Sequence, residues 1–149
     1  MSGSRFLRSQ YSSTAAHSAI AMMDTASALC VNFCDGLTVG VRLLQGEALV
    51  PNDRKVEVRQ MVEETMNLVR FGCGTASGID PTAIVRQEVP DCIVTDGSFV
   101  QRNVLHLMSN ACKYTTEGQV HLDVSVQEPG QEGGTPMVRF EVSDTGQGI

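Results

Sequence analysis

Nowhere in the 149 residues does an apolar run reach 18, so no segment has the length of a membrane-spanning helix. Residues 1–10 also lack the apolar centre of a signal peptide. Basic residues are in the minority. Eleven Lys and Arg face 17 Asp and Glu, and the resulting formal charge of −6 argues against a nucleic-acid or anionic-membrane surface. The five cysteines, at positions 30, 34, 73, 92 and 112, include no Cys-x-x-Cys, and their odd number fits no disulfide framework. This pattern suggests reduced thiols in a cytoplasmic setting. Cys30 and Cys34 share a helix face and could hold a metal in principle, but two small apolar packing residues are the better reading. No internal repeat is visible. What is present is ordinary for a globular chain: 42% apolar residues and enough length to bury a core, as one domain or one domain with a helical appendage.

Residues 1–13 are polar and Ser-rich and read as a disordered terminus. From 14 to 50 a long helix is expected, because Ile20, Met23, Cys30, Phe33, Leu37, Val41 and Leu44 recur at three- and four-residue steps in a coiled-coil-like stripe. Gly36 and Gly40 each weaken that helix by about 1 kcal/mol relative to Ala. Pro51-Asn-Asp is a break in which Asn52 or Asp53 can cap a new helix, and a short strand over Lys55–Val58 can precede that helix. Val58, Met61, Val62, Thr65, Met66 and Val69 give a second helical stripe, and Glu63, Glu64, Asn67 and Arg70 its solvated face. The glycine-bearing stretch 72–81 reads as a connector; it lacks the Lys-Ser/Thr ending of a phosphate-binding P-loop. Ala83–Val89 and Cys92–Thr95 read as strands, and Asp96-Gly-Ser supplies caps for the helix that follows. Val120, Leu122, Val124 and Val126 alternate with polar residues, as do Val138, Phe140 and Val142. The two segments form an antiparallel pair joined by the Gly- and Pro-rich loop 128–136. His121 falls on the polar, exposed side. The fold class is α+β: a two-layer α/β sandwich preceded by the long helix.

Two stretches carry the chemistry. Phe99–Thr115 reads as a buried helix with one polar row. Val100, Val104, Leu107 and Ala111 recur at helical spacing, and His106 and Asn110, four residues apart, share a face. An amide at such a position costs stability unless something pairs with it. At the C-terminus a strand runs into Asp144-Thr-Gly-Gln-Gly, where a carboxylate precedes two glycines whose backbone can approach a ligand closely. The segment His106-Leu-Met-Ser-Asn-Ala-Cys-Lys-Tyr-Thr115 resembles the N box of sensor histidine kinases. Asp144-Thr-Gly-Gln-Gly-Ile149 resembles their G1 box. The order of the two and the hairpin between them fit the Bergerat-fold (HATPase/GHKL) ATP-binding domain that these kinases share with gyrase- and MutL-type ATPases.

That resemblance implies a set of roles. Asn110 would be the Mg²⁺ ligand bridging the ATP phosphates, its other reading being a polar residue satisfied between helix and sheet. Asp144 would accept from the adenine amino group, and Gly146 and Gly148 would let the backbone pass close to base and sugar. Lys113 and Tyr114 would lie beside the nucleotide, and His106 is the candidate catalytic base, with a structural histidine as the alternative. No phosphoacceptor is convincing: His17 is followed by Ser-Ala-Ile-Ala-Met. The resemblance further implies residues 14–50 as part of a dimerisation hairpin, residues 51–149 as an ATP-binding domain incomplete at its C-terminus, a homodimer through the N-terminal helix, and a response regulator as phosphoryl recipient. The chain carries no membrane segment, although its parent could be membrane-attached. Without the lid that encloses the triphosphate, these 149 residues are expected to bind ATP weakly and not to turn over. A catalytically inactive interaction module and a GHKL-type ATPase are the alternative functions.

Overall fold

The structure is a computed structural model. It describes residues 50–73, 79–129 and 134–148 without interruption, and residues 19–48 in part. The polar terminus 1–13, His17, Phe33, the middle of the 72–81 connector and the tip of the 128–136 loop lie outside the described residues. Seven elements follow one another: β1 Arg54–Glu57, α1 Val58–Cys73, β2 Thr82–Val85, β3 Cys92–Thr95, α2 Gly97–Tyr114, β4 Val120–Gln127 and β5 Met137–Asp144.

The sheet is organised by alternation. On β4, Val120, Leu122 and Val124 are essentially inaccessible, while the residues between them are half-buried. On β5, Val138, Phe140 and Val142 take the same side, opposite Val126, Val124 and Leu122. These side chains meet Val104, Leu105, Met108, Ala111 and Cys112 of α2 and Val58, Val62, Met66 and Val69 of α1 in one core. Helices on one face and polar residues on the other give a two-layer α/β arrangement. The third strand of this sheet, β2, pairs parallel to β4, with Ala83 opposite Leu122 and Val85 opposite Val124. The expected antiparallel pair is thus extended by a strand brought alongside through β3 and α2. β1 and β3 form a separate two-stranded antiparallel sheet. Gly97 lets β1 sit close to the start of α2, since a Cβ there would lie 2.8 Å from Val56 Cγ2.

Several expectations are corrected. The strand read over Ala83–Val89 ends at Val85, because Arg86 turns away: its carbonyl accepts from Val89 N, and its guanidinium reaches Asp123. Buried Val89 therefore serves a turn rather than a strand. Neither Asn52 nor Asp53 caps a helix; α1 follows β1 directly, and its first N–H, from Val58, donates to Asp91 O at 2.9 Å. α2 is buried along one side only. Leu107, expected in its core stripe, is 51% exposed, because the sheet and α1 cover the side defined by Val104, Leu105, Met108, Ala111 and Cys112. His121 is half-buried rather than exposed, with Nδ1 2.9 Å from Thr82 Oγ1 across the parallel pair. Glu63, Glu64, Asn67 and Arg70 are exposed as expected.

All assigned helix and turn positions between 19 and 46 are helical up to Leu44. Ile20, Met22, Met23, Val31, Leu37, Val41 and Leu44 are each more than half exposed there. Cys30 and Cys34 are exposed as well, so they do not pack in the core of this chain. Among the described residues no helix is long and apolar enough to cross a membrane.

The start of α2 is fixed by Asp96. Its Oδ1 accepts from Phe99 N and its Oδ2 from Asn52 N, each at 3.0 Å, so one carboxylate caps the helix and ties down the approach to β1. These bonds, the one from Asn52 foremost, hold the Asp96 carboxyl below the usual carboxylate range. A depressed carboxyl contributes stability that is complete above its unfolded-state value near ~3.9 and is lost as the pH falls through its folded value. Asp96→Ala is expected to lower unfolding free energy by about 1 kcal/mol in urea titrations at neutral pH. The gap between variant and wild type should close in acid, as the pH passes below the folded value.

Candidate functional site

Strand parity decides where Asp144 goes. It pairs with Val120, and directly opposed residues project to the same face of a sheet. Val120 is buried beneath the helices, so Asp144 belongs to the helix-facing side, at the end of β5 nearest the close of α2. Ser143, Glu141 and Arg139 project to the opposite face with His121, Asp123 and Ser125.

Two close approaches then lock the Asp144 turn to the end of α2. Thr145 N donates to Gln119 O at 3.1 Å, and Gln119 N donates to Thr145 Oγ1 at 2.9 Å. The Thr145 hydroxyl occupies the space a side chain at position 118 would need. Gly118 also has φ +116°, so only glycine suits the turn leaving α2. At the next residue, Gly146 N donates to Asp144 Oδ1 at 2.9 Å. A Cβ on Gly146 would lie 2.7 Å from Tyr114 O and 2.9 Å from both Asp144 Oδ1 and Thr115 Oγ1. Gly146 is therefore seated against the last turn of α2. Gly148 has φ +74° and open space around it, so its requirement is one of backbone conformation alone.

On α2 the polar row lies along the side the core does not cover. His106 is exposed and Asn110 half-buried, with Asn110 Nδ2 3.1 Å from His106 Nε2. Asn110 Oδ1 has no hydrogen-bond partner among the described residues. Lys113 and Tyr114 are exposed, and the ammonium stands 5.2 Å from the centre of the tyrosine ring, within cation–π range. Leu107 and Tyr114, one turn to either side of Asn110, leave apolar surface beside the amide. Thr115 closes the helix, its N–H donating to Ala111 O at 3.0 Å. Its side chain is fully buried, and Oγ1 lacks a partner among the described residues.

The structure thus brings the Asp144–Gly146 turn against the Tyr114–Thr115 end of the helix that carries His106, Asn110 and Lys113. His121 stands apart from this cluster, on the outer face of the sheet. There a shallow hollow of about 500 Å³ is crossed by the Arg86–Asp123 and Arg139–Glu141 ion pairs, each 2.7 Å long. The arginine beside it holds Asp123 below the usual carboxylate range. No group of three or more His, Cys, Asp or Glu side chains able to hold a metal occurs among the described residues. Gly118, Thr115 and Thr145 are the residues of the cluster that sequence reading passes over. Only the Thr-Glu-Gly turn signal at 116–118 hints at them, and it says nothing of what fills the space beside the glycine.

No family model matches the chain. Among curated proteins it is similar to histidine kinases and sensory kinases. It is 31% identical over 99 residues to the peroxide stress-activated histidine kinase of Schizosaccharomyces pombe, an alignment covering 64% of this chain and 6% of that protein. The adaptive-response sensory kinase SasA of Thermosynechococcus vestitus is 33% identical over 97 residues, 64% of this chain and 23% of the kinase. The signal transduction histidine-protein kinase BarA of Escherichia coli is 24% identical over 106 residues, 71% of this chain and 11% of the kinase. The chain spans less than a quarter of the length of each of these relatives.

The seating of Gly146 gives a direct test of the cluster. Gly146→Ala forces a methyl onto the Tyr114 carbonyl, a backbone atom that cannot rotate aside. It is expected to cost about 1–3 kcal/mol in thermal or urea unfolding. Gly148→Ala meets no neighbour, and the left-handed conformation alone should limit its cost to about 1 kcal/mol.

Proposed function

We propose that the chain is a portion of a sensor histidine kinase. Residues 51–149 would form the first part of a Bergerat-type ATP-binding domain, and residues 14–50 a helix of the dimerisation region. The observation that carries this reading is the seating of the Asp144–Gly146 turn against the end of α2, which puts the two motif-bearing stretches side by side. The similarity to histidine kinases supports it independently.

The residues of the cluster fit a magnesium nucleotide. Mg²⁺ takes hard oxygen ligands and shares them with phosphates, and Asn110 offers an amide oxygen that no described residue uses. Asp144 gives one oxygen to Gly146 N and keeps the other for a donor such as the adenine amino group. The glycine backbone at 146 and 148 presents no side chain to a base or sugar. Lys113 supplies a mobile positive charge one turn beyond Asn110, and Tyr114 an exposed ring for apolar contact. Bound ATP would supply the γ-phosphoryl group, which leaves the β-phosphate oxygen and bonds to an imidazole nitrogen of an acceptor histidine. The contribution of the chain is positioning and neutralisation of charge. A response regulator aspartate is the proposed next recipient. The exposed apolar positions between Ile20 and Leu44 favour a homodimer through that helix. They also favour the second reading, an interaction module that binds nucleotide without catalysis.

The test is titration of a fluorescent ATP analogue with Mg²⁺ present. Saturable binding is expected. Asp144→Asn should weaken it by about 1.5–3 kcal/mol, roughly 10- to 150-fold, as expected for loss of a hydrogen bond to a charged group. Asn110→Asp should alter the Mg²⁺ dependence. Absence of binding in the folded wild type would remove the kinase reading. Once the chain is extended through the lid, binding without phosphorylation of a supplied intact dimerisation hairpin would select the interaction module, and phosphate release without phosphohistidine an ATPase.

A further inference from the structure

We propose that His106 is a positioning residue that sets the side-chain amide of Asn110 with its oxygen outward, ready for a divalent cation. This inference rests on the nucleotide-site reading and assigns His106 a role different from that of a base. It starts from one contact, Asn110 Nδ2 to His106 Nε2 at 3.1 Å, between residues one turn apart on α2. An amide nitrogen has no available lone pair, so two nitrogens at this distance are hydrogen-bonded only if the amide donates and the imidazole accepts. The ring proton must then reside on Nδ1, and the lone pair of Nε2 is already engaged.

Three consequences follow from the chemistry. A terminal amide can rotate by half a turn at little steric cost, exchanging its oxygen and nitrogen. Only the oxygen can ligate a hard cation, so half of those orientations are unproductive. With the ring proton on Nδ1, His106 offers a lone pair where the amide nitrogen sits and would present the same lone pair repulsively to an oxygen. In that tautomer it selects the orientation that leaves Oδ1 available, and the cation need not spend free energy on ordering it. Finally, a ring whose Nε2 is engaged with Asn110 is not free to take a proton from water at that nitrogen, which separates this role from general-base catalysis. His106 lies on the exposed side of α2, away from the core residues of that helix, so replacing it leaves the packing intact.

Two measurements test this on the whole chain. Long-range ¹⁵N–¹H spectra of the wild type should show His106 with an unprotonated, hydrogen-bonded Nε2 at neutral pH; a protonated Nε2 in the neutral ring would overturn the assignment. The second measurement is the affinity for the fluorescent ATP analogue in Mg²⁺ and in EDTA. His106→Leu, which has no acceptor, should reduce the enhancement by Mg²⁺ about tenfold, the scale on which partners behind a metal ligand act, and leave metal-free binding unchanged. His106→Gln, whose amide can present either its carbonyl or its NH2 to Asn110, should restore only part of it. An unchanged enhancement in His106→Leu, or an equal loss with and without Mg²⁺, would overturn the proposal while leaving the nucleotide site standing. Wild-type binding that is absent, or indifferent to Asp144→Asn, would overturn both.

Discussion

The register between β4 and β5 is the constraint on which the remaining geometry depends. Leu122 opposite Val142 and Val124 opposite Phe140 bury one face of the hairpin under two helices. Side chains alternate with period two, so a slip of one residue would turn that apolar set toward water and draw Arg139, Glu141 and Ser143 into the core. The cost of such a slip fixes Asp144 opposite Val120, on the helix side of the sheet. The placement of the Asp144 carboxylate thus follows from the burial of three aliphatic residues and one phenylalanine upstream of it. Thr145 and Gly146 add short-range bonds to Gln119 and Asp144, but they refine a position that the hydrophobic register has already chosen.

The same economy holds at the other end of the cluster. α2 is pinned at its start by the Asp96 carboxylate and along its length by Val104, Leu105, Met108, Ala111 and Cys112. With its rotation about its own axis set by that seam, His106, Asn110 and Lys113 are left on the uncovered side. Polar groups at the edge of a core are inexpensive when they pair with one another. Asn110 and His106 do so while leaving an acceptor for something else.

Much of this was legible in the order of residues. The alternation on β4 and β5, the stripe from Val58 to Val69, the cap at Asp96 and the face shared by His106 and Asn110 follow from periodicity and local chemistry, and the structure has them at or near the expected boundaries. What was not legible is long-range. Nothing in Thr82–Val85 indicates that its partner is β4 and that the pairing is parallel, because a four-residue strand carries no register of its own. Leu107 fits the helical stripe as well as Leu105 does; only the placement of the sheet decides which of the two is covered. The two motif stretches could be recognised singly, and their juxtaposition inferred only by resemblance. The physical reason for it, a threonine filling the space of Gly118 and a glycine seated on a helix-end carbonyl, resides in atoms far apart in sequence.

The cluster is drawn from one unbroken run of chain, α2, β4 and β5, while β1 and β3 stand in a sheet of their own. Assembly of the cluster therefore requires closure of only short loops, whereas β2 must wait for a crossover before it can dock. The two sheets share no strand pairing, and the β1–β3 pair is joined to the start of α2 through Asp96 and the close approach of Gly97 to Val56. The part of the chain proposed to meet a ligand is contiguous in sequence, yet its apolar side is buried against α1.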